Sequence, residues 1–236
     1  VGLLGDQPWG WRVMSVVFGC VTLAGMYELG LALFGSELAA LFAALLTLFN
    51  QMLYVQSRIA MLDTFMVGFL VWSWTYAVRA WNDLERDLGA SARQLSVAGV
   101  FSGLAIACKW FAIMPWAGVV LAFGCYAVFK KAGKNNRTRS LNFGQFAIGL
   151  VAAPLLAYYF TFLPFFWITP KNGVPYTLWD ILFRHQWNMW DGQLRVVSPH
   201  SYGSHWWEWP LMTRPMWYAF DREGDPATTI RGVMLL

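Results

Sequence analysis

The chain has few charged residues for its length. Asp, Glu, Lys and Arg make up 13% of its 236 residues, whereas roughly 25% is usual for a soluble domain. Hydrophobic residues make up 58%, and they gather in runs long enough to form helices that cross a bilayer. This composition excludes an ordinary soluble domain and predicts an all-α polytopic membrane protein.

Metal ligands and nucleotide-binding motifs are also scarce. Cys20, Cys108 and Cys125 lie in apolar stretches and form no CxxC pair, which argues against a disulfide framework and a zinc site. His200 and His205 are five residues apart, a spacing that fits common metal sites poorly. Walker and Rossmann glycine motifs, a Ser-His-Asp signature and RNA-binding signatures are absent as well. We therefore expect no metal, no nucleotide cofactor and no nucleic-acid partner.

The apolar runs predict about six membrane spans within residues 1–163. They cover residues 12–34, 38–57, 62–81, 95–129 and 143–163. The run 95–129 is too long for one span of about 20 residues, so it is predicted to be a hairpin that reverses between Cys108 and Pro115. From Pro164 to residue 236 the chain is polar, rich in Pro and Trp, and holds all three histidines. The sequence thus predicts a transmembrane region, 1–163, followed by a long loop, 164–236.

Basic residues in the predicted loops indicate the orientation. If the chain crosses the membrane at each span, the loops at 35–37, 82–94 and 130–139 share one face. That face carries Arg79, Arg86, Arg93, Lys130, Lys131, Lys134, Arg137 and Arg139. The positive-inside rule makes it cytoplasmic. The opposite face then carries the corner from Arg58 to Asp63, the corner at Lys109 and the Trp-rich loop.

Two cations lie at the ends of predicted spans on this non-cytoplasmic face, Arg58 and Lys109. A guanidinium can hold a phosphate through two parallel hydrogen bonds, and an ammonium adds a compact charge. At headgroup depth the pair suits a lipid phosphate. The structural alternative is that both side chains reach toward the interface as anchors while Asp63 caps the following helix.

The loop holds two notable segments. Residues 179–190 place apolar side chains at roughly helical spacing, which predicts an amphipathic helix on the membrane surface. Residues 198–210 are rich in turn-forming residues and contain two histidines, one glutamate and three tryptophans. Tryptophan faces beside polar groups suit stacking on a sugar or a peptide, although an interfacial aromatic belt is the commoner explanation.

Four motifs follow one another along nearly the whole chain. They are Gly5-Asp6-x-Pro8-x-Gly10-Trp11-Arg12, Gln56-Ser57-Arg58-x4-Asp63, Lys109-Trp110 and Ser198-Pro199-His200-x-Tyr202-x-Ser204-x-x-Trp207-x-Trp209-Pro210. Together they resemble the protein O-mannosyltransferases, which use dolichyl- or polyprenyl-phosphate mannose and have a GT-C membrane fold. The bacterial branch is closer, because the loop lacks the large inserted domain of eukaryotic members.

The resemblance implies a GT-C-like transmembrane helix bundle with a non-cytoplasmic Trp-rich loop. Its implied activity is inverting transfer of mannose from a polyprenyl- or dolichyl-phosphate carrier to Ser or Thr of a secreted or membrane protein, without a cofactor. The implied location is the bacterial plasma membrane, or the endoplasmic reticulum in a eukaryote. The family's acidic Asp-Glu motif lies upstream of the segment that matches residue 5. We therefore expect the catalytic base outside residues 1–236, and the chain to be a fragment.

The resemblance also implies roles for individual residues. Arg58 and Lys109 would bind the lipid phosphate, and Asp63 would pair with or orient Arg58. The candidates for the acceptor or donor pocket are His200, Tyr202, His205, Trp207 and Glu208.

Two other functions stay open from the sequence. Another GT-C transferase would move a lipid-linked sugar to a glycan or a lipid. A non-enzymatic polytopic transporter would be expected to have internal repeats and ionisable groups at mid-membrane. No repeat is visible, and Glu28 is the one acid well inside a predicted span, near its cytoplasmic end.

Overall fold

The computed structural model describes residues 7–132, 141–168, 175–195, 205, 207–208, 216–222 and 230–235. The chain divides into two compact units, Val1–Thr177 and Leu178–Leu236. The predicted division into a transmembrane region, 1–163, and a loop outside the membrane, 164–236, stays a prediction.

Helices make up the described part of the first unit. They are α1 (Pro8–Phe34), α2 (Glu37–Leu48), α3 (Gln51–Gln56), α4 (Leu62–Asn82), α5 (Leu88–Cys108), α6 (Ile113–Ala132), α7 (Phe143–Ala147) and α8 (Ala153–Phe160). Two 3₁₀ segments, Trp110–Ala112 and Leu163–Trp167, and one π-helical turn, Ile148–Ala152, complete it. The second unit contains a π-helical turn, Asp180–Arg184, then α9 (His185–Leu194), β1 (Met216–Arg222) and β2 (Ile230–Leu235).

The helices have apolar outer surfaces and a small-residue, partly polar interior. Leu46 and Leu156 are each 72% exposed, whereas Ser73, Thr75 and Ser102 are fully buried. This distribution is typical of membrane helices, which face lipid with large apolar side chains and pack through small ones. The predicted all-α polytopic membrane fold is confirmed. Among the residues that the structure describes, four helical segments are long and apolar enough to cross a membrane: Arg12–Phe34, Leu88–Cys108, Trp110–Phe129 and Phe143–Trp167.

The span predicted over residues 38–57 is divided into α2 and α3. A turn precedes it at the loop predicted over 35–37, and the Ser36 side chain accepts a hydrogen bond from the Ala39 N–H at the start of α2. The break lies at Phe49 and Asn50, where the Asn50 side chain accepts from the Leu53 N–H at 2.9 Å and begins a new helix. Asparagine favours this capping position over a helix interior.

The hairpin over residues 88–132 reverses where it was predicted, between Cys108 and Pro115. Its first arm is longer than expected, because α5 begins at Leu88 rather than at residue 95. The Asp87 side chain caps the helix by accepting from the N–H groups of Gly89 and Ala90. Much of the segment predicted as a polar loop is therefore the first two turns of α5.

The last apolar span contains a π-helical turn before Pro154. Proline has no N–H, so the carbonyl four residues earlier, at Leu150, lacks its usual helical donor. The Trp116 indole of α6 donates to that Leu150 oxygen at 3.1 Å. This contact satisfies a buried carbonyl and joins α6 to the π-helical turn.

Helices α1 and α4 run parallel and are joined by polar contacts that recur along their length. The Trp72 indole donates to the Val21 carbonyl at 3.1 Å, and the Thr75 hydroxyl donates to the Gly25 carbonyl at 3.3 Å. Further along, the Arg79 guanidinium pairs with the Glu28 carboxylate, and the Asn82 amide donates to the Ala32 carbonyl at 2.9 Å. Glu28, the acid predicted inside a span, is thus neutralised by a neighbouring helix.

Helices α4 and α5 run antiparallel. The Ser73 hydroxyl donates to the Ala98 carbonyl at 2.8 Å, and the Ser91 hydroxyl donates to the Ala80 carbonyl at 2.7 Å. The start of α4 consequently lies beside the end of α5.

The second unit contains one predicted helix and an unpredicted hairpin. Residues 178–194 are helical, which confirms the helix expected over 179–190. Strands β1 and β2 pair antiparallel, with Met216 opposite Leu235 and a register shift between Trp217 and Ala219. This region was predicted to be part of the loop 164–236. Its run Trp217-Tyr218-Ala219-Phe220 is rich in aromatic residues that favour strands, and that signal was overlooked.

Candidate functional site

The corner between α3 and α4 carries Arg58 and Asp63 on a tight turn. Hydrogen bonds from the Arg58 N–H to the Val55 carbonyl and from the Ile59 N–H to the Gln56 carbonyl end α3. Ala60 then adopts a left-handed backbone conformation with φ of 54°. This conformation costs a residue other than glycine about 1 kcal/mol or more, so the surrounding structure must hold it in place.

Asp63 forms an ion pair with Lys109. The Lys109 Nζ lies 2.9 Å from an Asp63 carboxylate oxygen, and the side chains are 52% and 21% exposed respectively. The antiparallel packing of α4 and α5 brings these two ends together. The acid occupies the first turn of α4 and the cation follows the last turn of α5, so each charge also complements a helix dipole.

The expected pairing of Asp63 with Arg58 is therefore replaced by a pairing with Lys109. The alternative prediction, that Asp63 caps α4, is not met either. The capping position of α4 is occupied by Met61, which makes no side-chain hydrogen bond to the helix, and Asp63 lies inside the first turn. Whether Lys109 and Arg58 bind a phosphate stays a prediction.

Arg58 has a different environment. Its Nη1 donates to the Tyr54 hydroxyl at 3.4 Å, and its Cζ lies 5.5 Å from the centre of the Tyr54 ring. Among the side chains that the structure describes, no carboxylate pairs with this exposed guanidinium. Tyr54 was not among the predicted site residues, although it precedes Arg58 by four residues, the spacing at which helical neighbours meet.

A cleft of about 300 Å³ lies beside Arg58. Its walls come from α1, the end of α2, and α3 with the residues after it: Val16, Gly19, Cys20, Leu23, Thr47, Leu48, Leu53, Tyr54, Ser57 and Arg58. The break between α2 and α3 shapes one wall. A single continuous helix over residues 38–57, as predicted, would not form this wall, so the cleft was not predicted.

A larger cavity of about 560 Å³ lies between α1, α4 and α6. Its lining is hydrophobic throughout: Leu29, Leu33, Trp74, Ala77, Val78, Trp81, Pro115, Gly118, Val119, Ala122 and Phe123. With no charged side chain in its lining, this cavity offers no group for acid–base or phosphate chemistry.

In the second unit, three of the predicted pocket residues form one local cluster. The His205 and Trp207 rings stack with centres 4.3 Å apart and planes at 6°. The Glu208 carboxylate accepts from the His205 N–H at 2.7 Å, and the Glu208 N–H donates to the His205 carbonyl at 3.0 Å. The contact from the Glu208 carboxylate to the His205 N–H is one half of a helix capping box, and it gives Glu208 a local structural role.

The remaining pocket candidates, His200 and Tyr202, lie outside the described residues. Within the described part of the chain, no group of three or more His, Cys, Asp or Glu side chains is placed to hold a metal ion.

Comparison with known proteins gives a consistent result. The family model of dolichyl-phosphate-mannose-protein mannosyltransferases matches residues 3–169. A polyprenol-phosphate-mannose–protein mannosyltransferase of Corynebacterium glutamicum is 29% identical over 144 residues, which cover 54% of this chain and 27% of the relative. A protein of the same name from Mycolicibacterium smegmatis is 25% identical over 283 aligned residues, covering 99% of this chain and 54% of the relative.

The chain therefore spans about half the length of the Mycolicibacterium relative, and its alignment covers about a quarter of the Corynebacterium one. No solved structure matches the chain.

Proposed function

Because the chain belongs to the dolichyl-phosphate-mannose-protein mannosyltransferase family, we propose that the whole protein transfers mannose from a polyprenyl-phosphate carrier to Ser or Thr of a protein. The names of the relatives give the same donor and the same class of acceptor. Both relatives are bacterial, which favours the bacterial plasma membrane as the location. The loop charges favour the non-cytoplasmic face for the corner that carries Arg58 and Asp63.

Arg58 is the residue that most directly supports this function. Its guanidinium is exposed, lacks a carboxylate partner among the described side chains, and borders an apolar cleft. When mannose leaves its carrier, negative charge develops on the phosphate oxygens. A guanidinium that donates two parallel hydrogen bonds to this phosphate stabilises that charge more in the transition state than in the ground state.

Lys109 contributes a second positive charge, and its ion pair with Asp63 positions that charge. An ammonium has three N–H donors, and the ion pair with Asp63 uses one of them. The others stay available for a phosphate oxygen. In this proposal Asp63 orients Lys109, instead of Arg58, and fixes the position of the ammonium at the end of α5.

The general base that takes the acceptor's proton is assigned to neither Asp63 nor Glu208. Asp63 is held by Lys109, and Glu208 is held by the backbone of its own turn. A carboxylate that serves as base must reach the acceptor hydroxyl at about 2.6–3.2 Å. Inversion at the sugar carbon would require that base on the side opposite the departing phosphate.

The test is mannose transfer by the whole protein reconstituted with polyprenyl-phosphate mannose and a Ser/Thr-containing peptide. We expect transfer with the lipid donor and none with a soluble nucleotide-linked mannose. The Arg58→Ala variant should transfer slowly, whereas Arg86→Ala, which removes an exposed arginine from the other end of α4 and α5, should transfer at the normal rate. Failure to use the lipid donor, or use of the nucleotide sugar alone, would contradict the proposal.

A further inference from the structure

We propose, resting on the proposed function, that Tyr158 of α8 is a positioning residue for Lys109. The Trp110 indole, directly after Lys109 in the chain, donates to the Tyr158 hydroxyl at 2.9 Å. This hydrogen bond ties the turn that carries the ammonium to α8, in addition to the ion pair with Asp63 of α4. Tyr158 acts through Trp110, and no contact with the substrate is assigned to it.

The ion pair with Asp63 does not by itself fix the ammonium of Lys109. The lysine side chain is a flexible stem and is 52% exposed, and an ion pair in contact with water adds little stability. The backbone of Lys109 is extended, with φ of −159° and ψ of 125°, so the regular helix α5 ends before it. The position of the ammonium therefore depends on what holds this stretch of backbone.

Two backbone hydrogen bonds hold Lys109 on the side of α5. Its N–H donates to the Ala105 carbonyl at 3.1 Å, and its carbonyl accepts from the Ala112 N–H at 3.0 Å. Ala105 and Ala112 are fully buried in a cluster that includes residues of α4. These contacts join the turn to α4 and α5, and the hydrogen bond from Trp110 to Tyr158 joins it to α8 as well.

Tyr158 is itself held firmly. It is 7% exposed, and its ring packs against the rings of Tyr159 and Phe162, with centres 5.1 and 5.2 Å apart. Its helix packs closely against α5, because a Cβ at Gly103 would lie 2.8 Å from the Ala157 Cβ. An acceptor that is locked by packing restricts the orientation of the indole that donates to it.

Loss of the Tyr158 hydroxyl should therefore loosen the turn without removing a packed ring. An indole has a single N–H donor, and in Tyr158→Phe the acceptor that orients the Trp110 indole is gone. A displacement of about 1 Å in a reacting group can cost about a hundredfold in rate. Freedom of the turn should consequently weaken the stabilisation that Lys109 gives to the departing phosphate.

The experiment compares Tyr158→Phe in the whole protein with the same substitution in a Lys109→Met background. In the first, kcat for mannose transfer should fall about tenfold, and kcat/KM should fall equally, because the ammonium acts on charge that develops in the transition state. In the second, Tyr158→Phe should cause no further loss, since the lysine through which it acts is absent. Trp110→Phe should behave like Tyr158→Phe, and the two together should be no slower than either alone.

Trp116→Phe is the matched control. The Trp116 indole donates to the Leu150 carbonyl at 3.1 Å, which joins α6 to the π-helical turn and has no link to a proposed site residue. Trp116→Phe and Tyr158→Phe should both lower the melting temperature, but Trp116→Phe should leave kcat per folded protein unchanged. A second measurement needs no transfer: hydrogen exchange at the Ala112 amide, which donates to the Lys109 carbonyl, should be several-fold faster in Tyr158→Phe.

Three results would overturn the assignment: a normal kcat in Tyr158→Phe, an equal loss of kcat with and without Lys109, or a loss of the same size in Trp116→Phe. Exchange at the Ala112 amide separates this inference from the proposed function. Normal mannose transfer by the wild type with unchanged exchange in Tyr158→Phe means that Tyr158 does not hold the turn and the function stands. Absence of transfer by the wild type with faster exchange in Tyr158→Phe means that Tyr158 positions Lys109 and the proposed reaction is wrong.

Discussion

Arg58 and Asp63 are five residues apart in the sequence, yet they have different partners. Arg58 contacts Tyr54 one helical turn before it, while Asp63 contacts Lys109 from another helix. The first contact follows from local spacing and could have been predicted. The second depends on the antiparallel packing of α4 and α5, which no local pattern determines.

Substitutions at Arg58 should separate a phosphate-binding role from a membrane anchor. Arg58→Ala should lower the transfer rate about a hundredfold, since two charge-assisted hydrogen bonds of about 1.5–3 kcal/mol each would be lost as the phosphate departs. Arg58→Lys should restore only part of the rate, because lysine lacks the planar pair of donors. The measurement is the initial rate at matched membrane expression. An anchor would tolerate lysine almost fully, so a near-normal rate in both variants would remove Arg58 from the site.

Asp63→Asn should act on Lys109 instead of Arg58. The neutral amide no longer neutralises or positions the ammonium, so the transfer rate should fall by about tenfold, less than for Arg58→Ala. The double variant Asp63→Asn with Lys109→Met should be no slower than Lys109→Met alone, because the acid acts only through the lysine. Rates of the two single variants and the double variant complete the cycle. A much larger loss in Asp63→Asn than in Lys109→Met would identify the carboxylate as the base.

At the scale of helices, α5 packs closely against the π-helical turn and α8 at two glycines. These contacts hold the helix whose end carries Lys109. Gly99 and Gly103 lie one turn apart on α5, and a Cβ at either would come within 2.2 Å of a carbonyl oxygen of the π-helical turn or of α8. This small-x3-small spacing allows helix backbones to approach closely in membranes. The motif is visible in the sequence and was overlooked there, whereas its partner helix is identified only by the structure.

Gly103→Ala should therefore destabilise the protein, by about 2 kcal/mol or more, because the new methyl would meet the Pro154 carbonyl. Gly118→Ala and Gly124→Ala on α6 are matched controls, since a Cβ at those positions has nothing within 4 Å. There the higher helix propensity of alanine should leave stability unchanged or slightly raised. Thermal unfolding in detergent compares the three variants. Equal melting temperatures in all three would mean that α5 and α8 are not packed as described.

The parallel pair α1 and α4 should depend on the ion pair between Glu28 and Arg79. Either Glu28→Leu or Arg79→Leu leaves one charge without its partner, whereas the double substitution removes both charges. We expect each single variant to unfold at a lower temperature than the double variant. The coupling energy between the two side chains should be only about 1 kcal/mol, because both are about one-third exposed and solvent screens their charges. Additive effects would show that the pair contributes nothing to helix packing.

Over the whole chain, composition and apolar runs were enough to predict the membrane fold, most helices and the reversal near Lys109. The break at Asn50 and the early start of α5 were not predicted, because single capping side chains decide them and a hydropathy pattern does not register such contacts. The β1–β2 hairpin was missed because the surrounding prolines and polar residues were given more weight than a short aromatic run. The cleft beside Arg58 was beyond prediction, since it exists only where α1 meets the broken helix.

The orientation of the whole molecule gives the last prediction. Helix α5 has 21 residues, about 31 Å at the helical rise, which matches the apolar thickness of a bilayer. Residues at its two ends should therefore be reached from opposite sides. Exposed Arg86, before α5, and exposed Phe111, after it, are suitable positions for single cysteines in a cysteine-free background of the whole protein, in which Cys20, Cys108 and Cys125 are among the cysteines replaced.

In intact cells an impermeant maleimide should label Phe111→Cys, and it should label Arg86→Cys only after the membrane is opened, because the basic loops favour the cytoplasmic side. A cysteine at Glu37, the first residue of α2, should behave like Arg86→Cys, since α1 and α4 run parallel and both end on that side. Labelling of Arg86→Cys and Phe111→Cys from the same side would contradict a membrane-spanning α5. The reverse result, with Arg86→Cys labelled in intact cells and Phe111→Cys only after the membrane is opened, would place Arg58 and Lys109 on the cytoplasmic side. The proposed site could not then meet an acceptor on the outer face.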